Sequence, residues 1–137
     1  MIPTTPTVLF GDSWNGSDNA EWSMDYPSQD NIASSILRLG NNQYTSIFIE
    51  VDGTTLSVGG GPQLFLVMIL KDGNTVRTLK GTPSGSETMV LNIGGQQSVY
   101  QITMLACQQL ALSSARYFLE HGTPDPTLDW VPGVPNR

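Results

Sequence analysis

This 137-residue sequence comes nearest to a nucleophile at Ser13, just past the β-prone run Val8-Leu9-Phe10 and the turn pair Gly11-Asp12. A serine attacks only when a base lies within hydrogen-bond reach and a third group orients that base. The sole histidine, His121, falls in the last turn of a helical pattern, where the helix dipole favours a cation. That placement reads as a helix-end residue rather than a general base. Cys107, the sole cysteine, lies on an apolar stripe and reads as a small buried hydrophobe. One cysteine also excludes an internal disulfide framework and a multi-cysteine metal site. Gly59-Gly60-Gly61 and Gly94-Gly95 invite a phosphate-loop reading, but neither is followed by Lys-Ser/Thr or set between a strand and a helix at dinucleotide-binding spacing. Asp12, Asp18 and Asp25 lack the one-three-five spacing of a calcium loop. The expectation is a protein with no cofactor, no metal and no catalysis.

What remains is recognition. Trp14 and Trp22 stand among Asp12, Asp18, Glu21 and Asp25, where an aromatic side chain can anchor a partner and the acids can steer its approach. The same tryptophans suit stacking on sugar rings. The formal net charge is −6, with −5 in residues 1–37, which carry no Lys or Arg, and −1 in residues 38–137. An acidic surface of this kind is repelled by phosphate backbones and attracted to basic proteins, so nucleic acid and anionic membrane are not expected partners. The longest apolar run, residues 64–70, is far short of the ~20 residues of a membrane helix. Residues 1–10 show neither a basic start nor a signal-like apolar core, and a cytoplasmic location is expected.

The elements that must position these residues follow from periodicity. The stretch 103–130 has the clearest helical period. Met104, Cys107, Ala111, Ala115 and Phe118 share a stripe flanked by Leu105, Leu112 and Leu119, with Thr103 as the expected N-cap and Gly122 as the stop. Pro124 and Pro126 prevent continuation. A shorter helix is expected over 29–39, capped by Ser28, with Ile32, Ile36, Leu37 and Leu39 on one face. Strands are expected at 7–10, 21–26, 44–51, 55–58, 63–70, 75–79 and 87–93. The pairs Asp52-Gly53 and Asp72-Gly73 should turn hairpins, Gly59 to Pro62 should break pairing, and Gly94-Gly95 should end the sheet. Connections within 44–93 are too short for crossover helices, so neighbouring strands should be antiparallel. The expected fold is α+β: an antiparallel β-sheet (meander) with two helices packed on one face. It forms a single domain over 1–137, with an acidic turn-rich part at 1–27, a helix-sheet-helix core at 28–131 and a tail at 132–137. Trp130 should close the core beside the second helix.

Two resemblances bear on function. Residues 8–13 resemble the first block of the GDSL-type esterases, whose base sits in an Asp-x-x-His motif near the C-terminus. Here the residue three before His121 is Phe118, and the alternating parallel strand-helix units of that fold are missing. More of the chain is similar to the first family of immunity proteins of bacterial polymorphic-toxin systems. The run Tyr44-Thr45-Ser46-Ile47-Phe48-Ile49-Glu50, with Gly53, Leu56 and Gly59-Gly60-Gly61, resembles that family's central hairpin. Gly94-Gly95-Gln96 is similar to its glycine-rich turn. Residues 115–122, followed by Pro124, Leu128 and Trp130, are similar to its C-terminal helix, glycine stop and closing tryptophan. The resemblance spans about residues 22–131. It implies a cytoplasmic, non-catalytic binder of a cognate toxin domain, often a nuclease or nucleic-acid deaminase, in a 1:1 complex that occludes the toxin's active or substrate-binding site. The residues expected to meet the toxin are Asp12, Trp14, Asp18, Glu21, Trp22 and Asp25, which the family pattern itself does not assign. An acidic secretion chaperone for an effector, which should dimerise and hold an unfolded segment of its client, is the second reading. A GDSL-like ester hydrolase using Ser13 is the third.

Overall fold

A strand that is apolar on both faces, such as 63–70, must be covered from both sides. In the computed structural model, which describes residues 7–72, 74–81 and 83–134, that requirement shapes the whole molecule. The elements in chain order are β1 (Val8–Gly11), β2 (Trp14–Asn15), β3 (Asp18–Asn19), β4 (Trp22–Asp25), α1 (Gln29–Leu37), β5 (Ser46–Val51), β6 (Thr54–Gly60) and β7 (Leu64–Lys71). There follow β8 (Thr75–Leu79), β9 (Thr88–Ile93), β10 (Gln96–Gln101), a 3-10 turn at Ile102–Met104, β11 (Ala106–Cys107), α2 (Gln108–His121) and β12 (Trp130–Pro132). The main sheet runs β12-β8-β7-β6-β5-β1-β4, with β11 also on β7, and β2-β3 and β9-β10 form separate hairpins. All of the pairings are antiparallel. The α+β architecture expected from periodicity, an antiparallel meander with both helices on one face, is the one observed.

The helix-side core joins Leu9, Ile47, Ile49, Leu56, Val58, Phe65, Val67 and Ile69 of the sheet to Ile32 and Ile36 of α1 and Ala111, Ala115 and Phe118 of α2. Leu9 on β1 is fully buried. The acidic N-terminal part is therefore woven into the sheet, β1 lying between β5 and β4. Ser28 caps α1 in a reciprocal capping box with Asn31. The helix stops at Leu37, which is exposed, while Leu39 beyond it is buried.

Several expectations are corrected. The second helix begins at Gln108, with Cys107 at its N-cap, and Thr103 is not a cap. Leu105 belongs to a second cluster on the opposite sheet face, with Leu66, Leu91 and Tyr100, whereas Ala106 belongs to the helix-side core. Successive side chains reach opposite faces only in an extended chain, so residues 105–107 are strand-like and β11 pairs with Phe65 and Leu64. Cys107 is consequently half-buried at a helix start rather than on the helix stripe. Gly94-Gly95 does not end the sheet. Both residues have positive φ, 66° and 80°, and they turn β9 into β10, a strand not expected from the sequence. That hairpin covers the far face of the sheet. Gly59 and Gly60 do not break pairing but lie within β6, where a Cβ would come within 2.7 Å of Ile93 and Leu91 respectively. Their missing side chains let the hairpin sit directly on the sheet. Pairing ends instead at Gly61-Pro62. Asp52-Gly53 turns as expected, with φ of 48° and 83°. Gly73 lies outside the described residues, as do 1–6 and 135–137. Pro132, placed in the tail by its sequence, is the last residue of β12 and pairs with Arg77.

Candidate functional site

The acidic cluster is organised by its least exposed member. Asp12 follows β1 and is only 5% exposed. Its Oδ1 accepts the main-chain N–H groups of Thr45 at 2.8 Å and Ser46 at 3.1 Å. Its Oδ2 accepts the Trp14 indole N–H at 2.7 Å, the Ser46 hydroxyl at 3.3 Å and the Thr45 hydroxyl. Burial acts to raise the Asp12 carboxyl, but the bonds from Thr45, Trp14 and Ser46 favour the ionised form more, and it is held below the usual aspartate range. The carbonyl oxygen of Asp12 accepts the Trp22 indole N–H at 3.1 Å. One residue therefore fastens both tryptophans. The Thr45 hydroxyl also accepts the Gly95 N–H at 3.2 Å, tying the β9-β10 turn into the same knot.

The tryptophans are correspondingly constrained. The Trp14 ring lies where a Cβ on Gly95 would come within 2.4 Å, and the Trp22 ring lies against Gly11, where the distance would be 2.9 Å. On the helix side the Arg38 guanidinium stacks 4.7 Å from the centroid of Trp22 and 4.1 Å from that of Tyr44. Such stacking leaves the hydrogen-bonding edge of a guanidinium available. This stack lines an open groove of about 590 Å³ between α1 and β4, with Glu21, Met24, Asn31 and Ser34 along it.

Of the six residues expected to meet a partner, the structure brings Asp12, Trp14 and Trp22 into one bonded cluster. Asp18, Glu21 and Asp25 are exposed on β3, before β4 and at the end of β4. Asp12 is corrected from a surface acid to a buried support. Asp18, Glu21 and Asp25 have no ion pair among the described residues, where the ion pairs are Arg116–Glu120 and His121–Glu120 on α2. Arg38 and Tyr44 were missed. The available signal was that Arg38 is the first Lys or Arg in the chain, the next being Lys71. Tyr44, expected at the start of a strand over 44–51, lies before β5, which begins at Ser46, and packs against the helix-side core.

The catalytic reading finds no assembled pair. Ser13 Oγ accepts from Gln43 Nε2 at 3.4 Å. His121 stacks on Tyr117 at 4.1 Å, and its neighbour Gly122 lies against Val51. Gly11 pairs with Ile47 and Val8 with Glu50, so Ser13 lies off one end of the β1-β5 ladder and His121 off the other. Among the described residues there is no group of three or more His, Cys, Asp or Glu able to hold a metal ion, and no helix is long and apolar enough to cross a membrane.

No protein-family model and no curated protein matches this chain. It is similar to the crystal structure of a hypothetical protein from Neisseria gonorrhoeae, with 11% identity and a TM-score of 0.56, covering 92% of this chain and 95% of that one. At that identity the likeness speaks for the fold alone.

Proposed function

We propose that this chain is an immunity protein that binds a cognate bacterial toxin domain through its acidic N-terminal edge and neutralises it by occlusion. The observation that carries the reading is the set of exposed carboxylates at Asp18, Glu21 and Asp25, which have no ion pair among the described residues, held on a scaffold that the buried Asp12 locks in place. Pre-organised charge of one sign is suited to a partner whose own basic surface handles nucleic acid. The sequence resemblance to the first family of polymorphic-toxin immunity proteins points the same way. In this reading the protein acts from the cytoplasm, in a 1:1 complex, without cofactor or catalysis.

The test is co-expression with the C-terminal domain of a large secreted protein encoded beside this chain, once that domain is shown to be toxic alone. Survival of the cells and a co-purifying 1:1 complex are expected. Continued killing with no complex would overturn the proposal.

A further inference from the structure

The two edges of the main sheet are not alike. At β12 the residues whose main-chain groups turn outward are Trp130 and Pro132, because Gly133 N–H bonds inward to Val76 at 2.8 Å and bonding alternates along an antiparallel pair. Pro132 has no N–H, which blunts that edge. β4, Trp22–Asp25, carries no proline, so its outward N–H groups are intact. Tyr26 N–H bonds inward to Thr7 at 2.8 Å, so Met24 and Trp22 also face β1, and Ser23 and Asp25 turn their N–H and C=O groups outward. Among the described residues no strand lies on that side. Met24 and Tyr26 beside it are 38% and 73% exposed. Glu21 and Asp25 flank the edge, and the groove with the stacked Arg38 runs along its helix side.

We propose that β4 is a strand-addition site: an extended segment of the partner, carrying Lys or Arg, pairs with Ser23 and Asp25 and extends the sheet. This rests on the immunity reading and specifies how the toxin domain is held. Main-chain bonds supply affinity that is indifferent to side chains, while side chains of the added strand alternate between the Trp22-Met24-Arg38 groove on the helix face and Ser23 and Asp25 on the far face, where its Lys or Arg would stand. Charge selects the occupant. A second copy of this chain would set Glu21 and Asp25 against their own kind, which is unfavourable across a strand pair, whereas a basic strand is attracted.

The test is hydrogen–deuterium exchange of single amides, by NMR, on the free chain and on its complex with an inactivated form of the neighbouring toxin domain. In the free chain Trp22 and Met24 should be protected while Ser23 and Asp25 exchange freely; in the complex Ser23 and Asp25 should slow by at least ~10-fold. Ser23→Pro removes one outward donor and leaves the bonds to β1 intact, and should weaken binding by at least ~10-fold. Ser23→Lys leaves the backbone unchanged and repels a basic strand, so it should weaken binding even if the proline variant fails to fold. A complex in which Ser23 and Asp25 exchange as fast as before, or a free chain already protected there through self-pairing, overturns strand addition and leaves the immunity reading standing. No complex at all overturns both.

Discussion

Replacing Asp12 by Asn keeps the size of the side chain and removes its charge, so the substitution isolates what the carboxylate does. It accepts from Trp14 Nε1, from the Thr45 and Ser46 hydroxyls and from the Thr45 and Ser46 main-chain N–H groups. The hydroxyls can rotate, and the Trp14 indole is near water. The two main-chain donors cannot move, since Thr45 and Ser46 are 0% and 4% exposed. A buried donor left without an acceptor costs about 1–3 kcal/mol. The Asn oxygen can keep both main-chain donors, which share Oδ1, but its NH₂ then faces the Trp14 indole N–H and leaves that donor without an acceptor, so Asp12→Asn should cost roughly 1–3 kcal/mol. Asp12→Ala, which strands both main-chain donors, should cost roughly 3–6 kcal/mol. The effect is linked to pH. The folded-state carboxyl is held below its unfolded value of about 3.9, so its contribution is complete above that value and is lost as pH falls through the lower folded value. Wild type should therefore keep its advantage over Asp12→Asn down to the unfolded value and lose it only as pH falls through the lower folded value. Urea unfolding followed by tryptophan fluorescence, at pH 7 and in steps down to pH 2.5, measures both effects. An Asp12→Asn midpoint equal to wild type at pH 7, with parallel pH profiles, would refute the assignment of Asp12 as the support of the acidic edge.

Two further predictions concern packing. Phe118→Ala, at a fully buried position between α2 and the sheet, should lower stability by about 3–5 kcal/mol in thermal or urea unfolding; a variant melting like wild type would contradict the docking of α2. Gly16 and Gly95 both have positive φ, 64° and 80°, but only Gly95 has a neighbour, Trp14, where a Cβ would stand. Gly16→Ala should therefore cost about 1 kcal/mol from backbone strain alone, and Gly95→Ala clearly more, with a change in Trp14 fluorescence. Equal losses would show that the β9-β10 turn does not rest on Trp14.

The meander from β5 to β8 was legible because its signals are local: alternation along 44–51, a two-faced apolar run at 63–70 and an Asp-Gly turn at 52–53. The stop of α2 at Gly122 was legible for the same reason, Gly122 being the left-handed cap. What escaped depends on which face of the sheet a residue reaches. Leu105 fits the helical stripe of 103–121 perfectly well by spacing, yet it fills the far-side cluster with Leu66 and Leu91. Helical period therefore continued past the true start of the helix. β10 escaped because Gln96, Gln97 and Gln101 obscure its alternation, and its inward Tyr100 is the sole buried residue of the strand. At the site, the acids and tryptophans of residues 12–25 stood out by type, but their division into a buried support and an exposed edge did not. Asp12 differs from Asp18 only through its register opposite Ser46, a contact 34 residues away in sequence.

The proposed guiding and holding of a basic toxin domain by exposed acids on this edge has a kinetic signature. It is read in the association rate of the triple variant Asp18→Lys, Glu21→Lys, Asp25→Lys, measured by stopped flow against the toxin domain from 20 to 500 mM salt. All three side chains are exposed, so the variant should unfold like wild type. The wild-type rate should fall steeply with salt and the variant should be slower by roughly 10- to 100-fold at low salt, the two converging at high salt. Equal rates and equal salt slopes would contradict it and move the interface elsewhere on the molecule.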